Sequence, residues 1–127
     1  MQIRRLALAP LVLTGVLSLA ACGSDDEESG TTSVDADLTV VGVEGLRWSQ
    51  DSYEAPAGQV DIALKNSSSQ PHTLAVIAAD GTQSPTILEA SRDGDVESGS
   101  YDLAAGTYTI ICTVPGHGNM KADLVMK

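Results

Sequence analysis

Tyr108-Thr109-Ile110-Ile111-Cys112-Thr113-Val114-Pro115-Gly116-His117-Gly118-Asn119-Met120 is the stretch on which the reading of this chain turns. Tyr108, Ile110 and Cys112 fall on one face at period two, as in a half-buried strand, and Pro115, Gly116 and Gly118 then break the chain into a loop. A thiol, an imidazole and a thioether lie within the nine residues from Cys112 to Met120. A second imidazole, His72, stands forty residues before Cys112 at the head of another apolar run, so pairing of two strands brings it across. Together they make a set of two His, one Cys and one Met.

Scarcity strengthens that reading. Beyond the first twenty-one residues the chain holds two His, two Cys and two Met. Both His belong to the set, Cys22 has a different fate, and Met126 lies on a terminal strand, six residues after Met120. Thiolate, thioether and imidazole ligands in this mixture favour copper of the electron-transfer kind.

The surrounding sequence is that of an all-β domain. Residues 38–43 read as a first strand, with Leu46-Arg47-Trp48 and Tyr53 as an irregular second segment. Val60, Ile62 and Leu64 alternate with Asp61, Ala63 and Lys65, a half-buried strand. The polar run 66–70 is a loop, Pro71 fixes its exit, and residues 72–79 form a more continuously apolar strand. Residues 87–90 read as a short helix or an irregular excursion, and residues 96–103 as an outer strand. Met120, Ala122, Leu124 and Met126 share a face at the end of the chain. About seven short strands punctuated by Gly and Pro predict an antiparallel sandwich. With no Phe and a single Trp, its core is built mainly from Val, Leu, Ile and Ala.

The beginning of the chain carries an address. Residues 1–21 read as a bacterial lipoprotein signal peptide: Arg4 and Arg5 are basic, residues 6–17 are apolar, and Leu19-Ala20-Ala21-Cys22 resembles a lipobox, with Cys22 as the lipid attachment site. Residues 22–36 then read as the acylated Cys and a flexible acidic tether, rich in Asp, Glu, Ser and Gly, with a typical reach of about 20 Å. Residues 37–127 form the folded domain. The expected location is extracytoplasmic and membrane-anchored. There a free thiol is unusual, and with Cys22 lipidated Cys112 has no disulfide partner. Setting Arg4 and Arg5 aside, five Lys and Arg face seventeen Asp and Glu in the chain from Cys22 onward, which makes nucleic acid and anionic membrane surfaces poor partners for its bulk.

From residue 37 onward the chain resembles the cupredoxins, the blue copper proteins, most specifically through Asn66, Pro71-His72 and the run from Tyr108 to Lys121. The resemblance implies a Greek-key β-sandwich of about seven or eight strands holding one type 1 copper through His72, Cys112 and His117, with Met120 as the axial ligand. Four residues separate Cys112 from His117, as in azurin-like members, and two separate His117 from Met120, as in amicyanin-like members. It further implies that His117, with Val114, Pro115, Gly116 and Gly118 around it, is the docking surface and electron exit. The Asn that often follows the first ligand His is here Thr73.

The functional expectation is a lipid-anchored protein, not an enzyme, carrying single electrons between membrane-associated redox partners. Such a partner, a cytochrome, oxidase or reductase, would present a basic or apolar surface. The alternative is a copper carrier or storage protein delivering the ion to another extracytoplasmic protein. A multicopper oxidase or nitrite reductase needs more His, a binuclear copper centre needs a second Cys in the loop, and nothing supports a Cys–His hydrolase.

Overall fold

The computed structural model describes residues 35–127. The expectations about the signal peptide, Cys22 and nearly all of the tether lie outside those residues. The described chain forms nine strands and no helix: β1 (Leu38–Val43), β2 (Arg47–Trp48), β3 (Ser52–Ala55), β4 (Gly58–Ser67), β5 (His72–Ile77), β6 (Leu88–Ala90), β7 (Val96–Leu103), β8 (Gly106–Ile111) and β9 (Lys121–Met126). They build two sheets, ordered β2-β1-β4-β7 and β3-β9-β8-β5-β6.

Between the sheets lies one apolar core. Val60, Ile62 and Leu64 of β4, Leu74 and Val76 of β5, Ile110 of β8 and Leu124 of β9 are each at most 1% exposed. Alternation puts them there, since every second side chain of a strand faces the same way. Trp48, Tyr53 and Tyr101 fill the remaining volume. Tyr108 packs at the edge, its hydroxyl donating to the Ala104 carbonyl at 3.0 Å across the β7–β8 corner.

Three features depart from the sequence reading. The second segment is two strands in different sheets, because the chain crosses over after Trp48. That crossover makes β1 pair with β4, and β3 with β9, in parallel, so the sandwich is mixed rather than antiparallel throughout. Residues 88–90 form neither helix nor excursion; they pair with β5, opposing Leu88 to Leu74 and Ala90 to His72. The local pattern was too short to announce a strand, and the pairing comes from the neighbour.

Register places the site. β5 and β8 run antiparallel with Ala75 opposite Ile111, so the start of β5 meets the end of β8. The inward series of β5 is His72, Leu74, Val76, and its last position before the loop is the imidazole. On the facing sheet the inward series of β1 runs Val40, then Gly42. His72 therefore sits where the opposite strand has no side chain.

Candidate metal centre

Three elements converge on one end of the sandwich. His72 begins β5, Cys112 follows β8, and His117 lies in the loop between β8 and β9. Each offers one ligand atom, and these atoms all lie within 4.8 Å of one another. His117 Nδ1 is 3.6 Å from the Cys112 sulfur. The rings of His72 and His117 are 5.5 Å apart, centre to centre. His72 is fully buried, while Cys112 and His117 are 5% and 6% exposed.

The loop that carries two of these residues is made of successive turns. His117 N–H donates to the Val114 carbonyl at 3.0 Å, with Pro115 and Gly116 between them and Gly116 at φ 88°. That is the chemistry of a type II turn, in which Pro presets the first central angle and Gly accepts the left-handed second. Met120 N–H then donates to the His117 carbonyl at 2.9 Å, and Cys112 N–H to the Met120 carbonyl at 3.3 Å. The two-residue spacing from His117 to Met120 is thus the span of one tight turn. It returns Met120, 1% exposed, to the core cluster that contains Cys112.

His72 is held from the other side. Its Nε2 lies 2.7 Å from the Ser68 hydroxyl, while its Nδ1 is buried with no hydrogen-bond partner. An unpartnered buried ring nitrogen beside a thiol and a second imidazole fits the donor set of a metal site. The donor set, two nitrogens and a sulfur with a thioether nearby, fits copper. Burial pushes His72 below the ordinary imidazole pKa; the neighbouring His117 adds to this and Glu44 opposes it. A neutral imidazole is the form that binds a metal.

Thr73 braces the sulfur. Its backbone N–H lies 3.4 Å from Cys112 Sγ and its hydroxyl 3.7 Å from the same atom. The hydroxyl also accepts from Thr113 N–H at 2.8 Å, so the β5 and β8 ends are tied where Asn was expected from the resemblance. Sequence reasoning missed Ser68 and Gly42. Ser68 hides in a polar run that reads as solvated loop, yet it is 3% exposed. The available signal was Asn66 two residues before it, since Asn commonly turns the chain by accepting the second following N–H, as Asn66 Oδ1 does from Ser68 at 2.9 Å.

Around His117 the loop surface is uncharged from Cys112 to Met120, with Thr113, Pro115, Gly116, Gly118 and Asn119 exposed and Val114 half-buried.

No protein-family profile and no curated protein matches this sequence. Solved structures do match. Reduced auracyanin from the photosynthetic bacterium Roseiflexus castenholzii is similar at a TM-score of 0.60, with 20% identity over 71% of this chain and 95% of its own. Auracyanin B is similar at 0.57, with 22% identity over 78% and 95%. A purple cupredoxin from Nitrosopumilus maritimus is similar at 0.54, with 18% identity over 72% and 100%. The chain therefore has the cupredoxin fold, and it carries a candidate metal site of two His and one Cys, with Met120 on the same loop.

Proposed function

We propose that this chain is a lipid-anchored blue copper protein that passes single electrons between membrane-associated redox partners. The observation that carries the reading is the cluster of His72, Cys112 and His117, buried and within 4.8 Å, with the Nδ1 of His72 left free. These three would hold the ion, and the Met120 thioether would be the further sulfur donor on the same loop. Copper bound there would supply a one-electron couple between Cu(II) and Cu(I). The chain's part is to keep its ligands still: His72, Cys112 and Met120 sit at or next to strand ends, and His117 is held in the loop between β8 and β9 by its backbone hydrogen bonds to Val114 and Met120.

His117 is the exit in this reading, flanked by Val114, Pro115, Gly116 and Gly118 on a surface without charge. Carboxylates elsewhere on the domain steer a partner with a basic or apolar face, and they act before contact rather than in it. The lipid on Cys22 and the acidic segment after it hold the domain within reach of membrane partners on the extracytoplasmic side. A delivery role is less well supported, because a carrier must release its ion and these ligands are buried.

Voltammetry of the copper-loaded chain tests the proposal. A reversible one-electron couple is expected, with His117→Gly losing electron exchange with a protein partner until exogenous imidazole is added. Irreversible loss of copper on reduction would support delivery instead.

A further inference from the structure

Ser68 is the hub of a buried polar network at the end of β4. Its hydroxyl lies 2.7 Å from His72 Nε2, 3.0 Å from Asn66 Oδ1 and 3.1 Å from the Gln70 carbonyl, and it accepts from Gln70 N–H at 3.2 Å. Asn66, fully buried, donates to the carbonyls of Gln70 at 2.7 Å and Ala90 at 3.0 Å. Ala90 pairs with His72 in the sheet. Asn66 thus clamps the loop before His72 and the strand beside it.

The protons in this network can be counted. The Ser68 hydroxyl has one, and the neutral His72 ring has one. If the Ser68 proton goes to Nε2, the ring proton must sit on Nδ1, a buried atom with no acceptor, and an N–H orphaned there costs the ring its desolvation. If instead Nε2–H donates to Ser68, the Ser68 proton still has Asn66 Oδ1 or the Gln70 carbonyl to go to. Every proton then has an acceptor. What is left over is one bare lone pair, on Nδ1.

We propose that Ser68 is a positioning residue for the metal centre: by accepting Nε2–H it fixes the tautomer of His72 and leaves Nδ1 as the free donor in the cluster with Cys112 and His117. Its own loop is latched from outside, where Glu44 accepts from Ser69 N–H at 2.6 Å and from the Ser69 hydroxyl at 3.3 Å. A serine at this place, four residues before the imidazole, does two jobs. It orients the ring, and it prevents a proton from occupying the atom meant for the ion. The consequence for binding rests on His72 being a ligand, as proposed above; the tautomer is a property of the metal-free protein.

Two measurements on the full-length chain test this. Long-range proton–nitrogen correlation of the ¹⁵N-labelled metal-free protein should show His72 protonated at Nε2. Ser68→Ala should mix the tautomers and weaken zinc binding in a competition titration by about 10–100-fold, the usual size for losing such a support. Ser68→Thr, which keeps the hydroxyl, should restore both. A wild-type ring protonated at Nδ1 overturns the proposal without any variant, and so does Ser68→Ala with the wild-type tautomer. Failure of the wild-type chain to bind zinc or copper would sink the metal reading instead, leaving the tautomer to be decided by the nitrogen spectrum.

Discussion

Gly42→Ala is a one-carbon change that should disable the site from a residue no metal touches. A Cβ at Gly42 would stand 2.6 Å from His72 Cδ2, 2.9 Å from Cγ and 3.1 Å from Nε2. Restoring an ordinary contact of 3.4 Å requires the ring or the strand to give by about 0.8 Å. Neither is free to do so. Gly42 is paired to Trp48 on one side and Asn66 on the other, and the ring is fully buried and tied to Ser68. Overpacking of this kind costs about 1–3 kcal/mol, and loss of the Ser68 bond adds about 1 kcal/mol. Urea unfolding of the metal-free protein should therefore show a loss of about 2–4 kcal/mol, and copper competition a fall in affinity of about tenfold or more. Gly118→Ala is the stability control, because its added carbon meets nothing within 4 Å. If Gly42→Ala unfolds like wild type and binds copper as tightly, the placement of His72 over β1 is wrong.

Gly116→Ala should cost about 1–2 kcal/mol without any steric contact, since φ 88° is hostile to a side chain and open space surrounds the position; the same unfolding assay reads it. Thr73→Val keeps the shape but removes the oxygen that accepts Thr113 N–H, so stability should fall by about 1 kcal/mol in urea unfolding, while the Thr73 N–H beside the Cys112 sulfur is kept. Burial raises the Tyr101 pKa to about 12, with the Glu97 charge adding to it. Its neutral form is favoured by the fold, so that stability is complete below pH 10 and is lost as pH rises through about 12; ultraviolet titration should find this transition, and Tyr101→Phe should abolish it.

Much of this molecule is written locally. The alternation of Val60, Ile62 and Leu64, and of Met120, Ala122, Leu124 and Met126, marks inward faces that are indeed buried. The convergence of His72, Cys112 and His117 was legible because sulfur and imidazole are so rare in the chain. What could not be read depends on neighbours distant in sequence. Ala63 faces outward with Asp61 and Lys65, yet it is 1% exposed, because a small side chain on a central strand is covered by Thr39 and Ser98 across the sheet. The parallel pairings follow from a crossover that no short window encodes. Gly42 looks like any strand glycine until a ring from the other sheet is laid on it. Ser68 looks solvated until Asn66, Gln70 and His72 close around it.

The central claim is that His72, Cys112 and His117 bind one copper ion together, with the thiolate bonded to the metal. Visible absorption and electron paramagnetic resonance of the copper(II)-loaded chain test it most directly. The account predicts an intense sulfur-to-copper charge-transfer colour with unusually narrow copper hyperfine splitting, both lost in Cys112→Ser. A pale copper(II) form with ordinary hyperfine splitting, unchanged when Cys112 is replaced, would contradict it.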